Sequence, residues 1–337
     1  MPQWTLELVD PVFSLSFHPE KTEFVLGFAS GRVTAFKYTA TESPTELWST
    51  KRHKSSCRSV AYGRDSLHIY SAGSDKVLKK AIASNGQVVK KCELDGVPNA
   101  FCINTHYIFV GDEEGTVSVY DLQLHKTHQF KKVVSDCVNS IAWMEFKNQY
   151  NIIATGMSSL VQIDIRKGVK TTSDDQEDEL LCGAVLDEQQ SVFGMAEGVV
   201  TIWKNSDLSD QQNRLRLSKE GTVDAIIAGE DQNTAVAGTS EGKIYEINAR
   251  SSKILKTLVH APDGEEVSML DWDCNYQLVS GSMGRVILWN KDEEQKKELD
   301  EQKSGSQSTA GSKRKRKNKK ANKGDNNKKS KIMFADL

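Results

Sequence analysis

The most constraining feature of this chain is a short pattern that returns seven times. Each occurrence is a few apolar or small residues, a glycine, a polar turn and then an alternating apolar run. The occurrences are Phe24-Val25-Leu26-Gly27, Tyr70-Ser71-Ala72-Gly73, Ile108-Phe109-Val110-Gly111 and Ile153-Ala154-Thr155-Gly156. They continue with Ser191-Val192-Phe193-Gly194, Ala235-Val236-Ala237-Gly238 and Leu278-Val279-Ser280-Gly281. Successive glycines lie 38 to 46 residues apart, a mean of about 42, which is the period of propeller blades.

Around each glycine the sequence predicts further strands. Upstream lie runs such as Val12-Phe13-Ser14-Leu15-Ser16-Phe17 and Val138-Asn139-Ser140-Ile141-Ala142-Trp143. Downstream lie alternating runs such as Thr116-Val117-Ser118-Val119-Tyr120, and period-two alternation argues strand rather than helix. A weaker fourth strand follows in several units, for example Val88 to Leu94. No segment of 1–290 sustains a helical apolar stripe over three turns. The expectation is an all-β, seven-bladed β-propeller over 1–290. The last unit lacks a fourth strand, because the chain turns charged from Lys291. The unpartnered strand Trp4 to Val9 is expected to complete it, which removes an exposed sheet edge.

Composition matters through its distribution. The formal net charge of -2 conceals 12 Lys and Arg against one acid between 303 and 331. Residues 1–302 carry 32 bases against 44 acids. Such asymmetry gives the tail its own partners. Residues 291–337 have too few apolar side chains to offset chain entropy, so they are expected to be largely disordered. The run Lys313-Arg314-Lys315-Arg316-Lys317-Asn318-Lys319-Lys320 suits an import receptor's acidic grooves, or RNA phosphates by counterion release, or a solubilising role alone. No aromatic interleaves it, so any RNA contact there is sequence-tolerant.

No apolar run reaches the length of a membrane span, and the first ten residues carry no Lys or Arg. The expected location is therefore the cytosolic or nuclear side, with no membrane partner. Six dispersed cysteines form no close pair, which argues against zinc and leaves small, free core thiols as the expectation. Phosphate-binding, metalloprotease and nucleophile-elbow motifs are all missing. Neither an enzyme nor a cofactor is expected.

The glycine-bearing second strand, polar turn and third strands ending at Tyr120-Asp121, Trp203-Lys204 and Trp289-Asn290 resemble the WD-repeat family. The resemblance implies a buried structural network, here His53 with Ser59 and Asp75. His260 holds the matching place in the last unit, where Gly284 stands near the Asp position. With its basic tail and terminal Phe334-Ala335-Asp336-Leu337, the chain is similar to nucleolar WD-repeat proteins of ribosome biogenesis. That similarity implies a non-enzymatic scaffold whose partners are proteins of pre-ribosomal particles, in the nucleus and nucleolus. A rival is a substrate receptor of a cullin-type ubiquitin ligase or another nuclear adaptor. Asp164-Ile165-Arg166 offers its D-x-R, with Ile163 in place of Trp, and the alternation Val161, Ile163, Ile165 puts Asp164 one place early.

Propeller geometry places strand starts and turns on one face. The expected partner face comprises Arg58, Asp75, Asn99, Asp112, Glu113, Asn139, Asp224 and Glu241, joined by Ser56, Glu197 and Glu266. Mostly acidic, it suits a basic partner segment, unless these are ordinary solvated turn residues.

Overall fold

The computed structural model describes residues 2–39, 42–261 and 263–291. The basic run at 313–320 and the terminal Phe334–Leu337 segment lie outside them. Twenty-eight strands form seven four-stranded antiparallel sheets. Blade 1 contains β2 (Val12–Phe17) to β5 (Thr45–Lys51), and blade 2 contains β6 (Cys57–Tyr62), β7 (His68–Gly73), β8 (Val77–Ile82) and β9 (Val88–Glu93). Blade 3 runs from β10 (Pro98–Ile103) to β13 (Lys126–Phe130), and blade 4 from β14 (Ser140–Trp143) to β17 (Gly168–Thr172). Blade 5 runs from β18 (Leu180–Val185) to β21 (Asn213–Arg216), and blade 6 from β22 (Val223–Ala228) to β25 (Lys253–Val259). Blade 7 combines β26 (Met269–Trp272), β27 (Leu278–Gly281) and β28 (Arg285–Trp289) with β1 (Pro2–Glu7).

The expected closure is present. Strand β1 pairs antiparallel with β28, with Trp4 opposite Leu288 and Leu6 opposite Val286. The strand lies two residues earlier than Trp4–Val9, because Val9 already stands fully exposed in the turn to Pro11. Trp4 stacks on Phe24 of blade 1, which welds the closing strand to the next blade's core.

The glycine column needs one correction. Gly27, Gly111, Gly194, Gly238 and Gly281 share one register opposite the inner strand, whereas Ala72 and Thr155 hold it in blades 2 and 4. A Cβ at Gly111 or Gly194 would stand 2.5 Å from Val138 or Val223 of the next blade. The column is thus glycine where the neighbouring inner strand presses closest. Gly73 and Gly156 sit one residue later for other reasons: a Cβ there would meet the His53 ring at 2.5 Å or Val134 at 2.7 Å.

Apolar side chains of each sheet pack against the next blade in successive clusters, such as Phe109, Val119, Ile152 and Ile163 between blades 3 and 4. Of the cysteines only Cys57 and Cys182 are buried, and burial pushes the Cys57 thiol up to about 12.

Candidate functional site

The seven inner strands surround a channel of about 600 Å³. Five of them carry a bulge at their second residue, where the register skips: Phe13, Arg58, Asn99, Leu181 and Asp224. Asn139 and Ser268 stand at the same point just ahead of β14 and β26. A bulge re-aims a side chain, and all seven residues line the channel. Sequence reasoning found Arg58, Asn99, Asn139 and Asp224 and missed Phe13, Leu181 and Ser268. The available signal was position, one residue before the Ser, Ala, Cys or Met that resumes the ladder, rather than polarity.

The mouth differs from an acidic ring. Arg58 and Asp224 are its only charges among these seven residues. Asn99 Nδ2 donates to the Val138 carbonyl at 3.0 Å, and Asn139 Nδ2 donates to Glu179 Oε1 at 2.9 Å, so each ties its blade to the next. Ser56 and Glu266 do not line the channel, and Ser56 is paired with Ser74 at 2.7 Å. Asp112 is buried; its Oδ1 accepts from the Glu114 and Thr116 N–H groups at 3.0 and 2.9 Å. Through that oxygen it holds the turn from Asp112 to Thr116. Glu113 reaches Arg58 at 3.5 Å, Glu241 reaches Lys243 at 3.2 Å, and Glu197 is held by Arg214 and Arg216.

What survives of the acidic face is Asp224 with Glu266. Burial raises the Asp224 carboxyl against the opposing hydrogen bond from Thr222. Burial, then the Asp224 charge, raises Glu266. Asp224 Oδ2 is buried without a hydrogen-bond partner. Deeper in the channel, burial pushes Asp271 up to about 6, although the Phe17 and Trp272 N–H groups donate to it. That residue had no sequence signal.

The expected network in blade 2 exists with a different serine. Asp75 stays ionised: burial raises its carboxyl, but the Lys54 N–H and His53 bonds outweigh this and leave it below the usual value. It can then only accept, so His53 Nδ1–H donates to Asp75 Oδ1 at 2.9 Å. His53 Nε2 accepts from the Ser71 hydroxyl at 2.9 Å. Ser59 is not in this chain, because it lies on the inner strand two residues past Cys57 while the ring points at β7. Asp75 is thus committed to the fold as well. Burial lowers the His53 pKa and keeps the ring neutral.

Blade 7 carries a complementary half of such a network. Trp289 Nε1 donates to Ser280 Oγ, and that hydroxyl meets His260 Nδ1, both at 2.8 Å. The β27–β28 turn is one residue shorter than the β7–β8 turn, so no residue stands where Asp75 does. Glu265 enters instead and accepts the Gly284 N–H at 3.0 Å.

Among the described residues no group of three or more His, Cys, Asp or Glu could hold a metal ion. No helix there is long and apolar enough to cross a membrane.

Curated relatives align across most of the chain. The WD repeat-containing protein JIP5 of Eremothecium gossypii is 32% identical over 348 residues, covering 84% of this chain and 68% of the relative. The chain belongs to the JIP5 family of WD repeat-containing proteins. The JIP5 protein of Meyerozyma guilliermondii is also 32% identical, covering 86% of this chain and 72% of its own. That of Saccharomyces cerevisiae is 34% identical over 275 residues, covering 72% and 56%. No general family model matches, which fits how far the repeats have drifted. The position of the family's Trp is held in blade order by Phe36, Ala81, Tyr120, Ile163, Trp203, Ile247 and Trp289. Ala81 leaves a gap beside blade 1, and Trp48 reaches across it to donate to the Ala83 carbonyl at 2.8 Å.

Proposed function

We propose that this chain is a non-enzymatic scaffold for protein–protein interactions in ribosome biogenesis, acting in the nucleolus during pre-rRNA processing and pre-ribosome assembly. The observation that carries the scaffold reading is the channel mouth. Seven blades converge there on side chains with no metal cluster or catalytic constellation, and a surface assembled from every blade is built for recognition. Membership in the JIP5 family supports that general role. The nuclear assignment rests on the basic run Lys313–Lys320, read as a nuclear import signal, and the nucleolar one on the resemblance carried by the basic tail and the terminal Phe334–Leu337, with the tail as a secondary, sequence-tolerant RNA contact.

The partner segment is basic and enters beside Asp224 and Glu266, whose raised carboxyls a cation would relieve. Co-sedimentation of the full chain with pre-ribosomal particles is the expected result in a gradient of cell extract. A chain found wholly in the light fractions overturns the reading. Removing 312–331 should abolish nuclear accumulation. Changing Glu266→Lys should release the captured partner, and its retention would clear that face of the role. Asp112 is unsuited to such a test, since its loss breaks a turn.

One observation favours the ubiquitin-ligase receptor as a second reading. Asp164 sits in the register of Asp121, directly after the Trp-column residue Ile163, not one place early. Arg166 grips Asp164 through Nε and Nη2 at 3.1 and 2.9 Å and lies over the Tyr150 ring. A ligase adaptor recovered with the full chain, and lost on Arg166→Ala, is the outcome that selects this reading.

A further inference from the structure

Two of the seven blade junctions at the channel mouth are apolar, and they are built alike. Blades 4 and 7 have the shortened turns: Gly156 N–H donates to the Ser159 carbonyl at 2.9 Å, and Ser282 N–H donates to the Arg285 carbonyl at 2.8 Å. The tip of each carries a methionine, Met157 or Met283, two residues past the glycine column. The same position holds Ala29, Ser74, Glu113, Ala196 or Ser240 in the other blades. Turns favour Gly, Asn, Asp and Ser, so the turn itself calls for no thioether. Both methionines nevertheless stand in solvent, 51% and 46% exposed.

The inner strand that follows each methionine turn is the one with an apolar bulge. Val12 N–H donates to the Met283 carbonyl at 2.8 Å, which sets Phe13 beside that turn. Gln176 N–H donates to the Ser158 carbonyl at 2.6 Å, and Leu160 clusters with Leu180, which brings Leu181 alongside the other. Phe13 and Leu181 both line the channel, and Phe13 is 37% exposed. At the remaining five junctions the residue in the bulge position is polar or charged. The two apolar pairs lie three blade steps apart in a ring of seven, nearly opposite one another. Asp224 and Glu266 stand on the shorter arc between them, and no Lys or Arg pairs with either among the described residues. On the longer arc Arg58, Asn99 and Asn139 are engaged in contacts within the ring.

We propose that the mouth takes an extended protein segment in which one Lys or Arg stands between two apolar side chains. The apolar residues seat on Phe13 with Met283 and on Leu181 with Met157, and the cation lies over Asp224 and Glu266 between them. Charge complementarity selects the cation and rejects a phosphate backbone. Two separate apolar seats select a peptide over a small amine, which has nothing to fill them. Exposed apolar groups rimmed by polar ones mark recognition sites. Methionine adapts to side chains of differing shape, so the partner's apolar residues are interchangeable where its cation is not. The inference deepens the scaffold reading and rests on it for one point, that the mouth binds protein.

The test uses the purified full chain and fluorescent synthetic peptides of the form Leu–spacer–Lys–spacer–Leu, with Gly/Ser spacers of increasing length, followed by anisotropy. One spacing should bind, and replacing its Lys by Glu should abolish binding. Met157→Ser and Met283→Ser should each weaken it about fivefold, and together about 25-fold, since distant sites add. Glu266→Gln should weaken it and flatten its salt dependence. The methionines lie at exposed turn tips, so thermal midpoints should match the parent, which separates binding from folding. The control is Leu67→Ser, an exposed apolar residue in the β6–β7 turn at the far end of its blade, and it should change nothing. Equal affinity for a peptide with both Leu replaced by Ser assigns the mouth to cations alone and overturns the proposal. No binding at any spacing, methionine variants that bind like the parent, or an equal loss in Leu67→Ser also overturns it. Peptide binding by a chain that stays in the light gradient fractions sustains this inference while the ribosomal reading fails. Sedimentation with pre-ribosomal particles without peptide binding does the reverse.

Discussion

Blades 2 and 7 build the same kind of buried network from opposite halves. Blade 2 has His53, Ser71 and Asp75 but Ala81 in the Trp column. Blade 7 has His260, Ser280 and Trp289 but no acid. The histidine follows its partners. In blade 2 the acid fixes the ring proton on Nδ1, and both nitrogens are satisfied. In blade 7 the Ser280 hydroxyl accepts from Trp289 and meets His260 Nδ1, while the other ring nitrogen, Nε2, is buried without a partner. The difference teaches that the acid fixes the ring proton in blade 2, whereas in blade 7 a serine that can donate or accept stands in that place and one ring nitrogen goes unsatisfied.

This comparison can be broken experimentally. The largest effect should come from acid. Burial pushes His260 down to about 4 from its ordinary 6.5, and burial also lowers His53. A depressed histidine contributes stability that is fully present above the unfolded pKa. That stability is lost as pH falls from about 6.5 towards about 4, because the unfolded chain takes up the proton first. For His260 the window corresponds to roughly 3 kcal/mol. Denaturant melts should show His260→Leu flattening this pH dependence, and an unchanged slope would refute the neutral ring.

Next in size is Asp75→Ala, which strands the His53 Nδ1–H and the Lys54 N–H and should cost about 2–3 kcal/mol. Glu265→Ala in blade 7 removes one acceptor and a partly exposed ion pair with Arg285 and should cost about 1 kcal/mol. If the two variants melt together, Glu265 does the full work of the absent Asp. Trp289→Phe deletes a single N–H donor and should cost about 1 kcal/mol. The smallest effect sharpens the choice of serine. Ser71→Ala should destabilise by about 1 kcal/mol, whereas Ser59→Ala should stay within about 0.5 kcal/mol. The reverse order would return Ser59 to the network.

The ring, its seven blades and its closure by the first strand were legible, because period-two alternation at a 42-residue spacing has few other solutions. Two of the finer errors share one cause. A β-sheet register slips unseen by one residue wherever a turn changes length. The shorter turns of blades 4 and 7 and the bulges at Phe13, Leu181 and Asp224 leave little trace in composition. That slip moved Gly156 into the wrong column and set Asp164 one place early, whereas Gly73 merely follows an Ala that holds the column, and Ser59 for Ser71 was a choice of the wrong strand. The acidic face misled for another reason. A carboxylate in a turn reads alike whether it meets solvent or its own backbone, and Asp112 meets its backbone.

The pairing of β1 with β28 also imposes a schedule. Trp4 is made 284 residues ahead of its partner Leu288. At about 5–20 residues per second, the opening strand waits roughly 15–60 s for the segment that shelters it. Throughout that interval blade 1 offers Phe24 and Phe17 without the indole that covers them. The ring is therefore most vulnerable to misassociation while it is being born, and whatever shields that first strand decides how much chain survives to close.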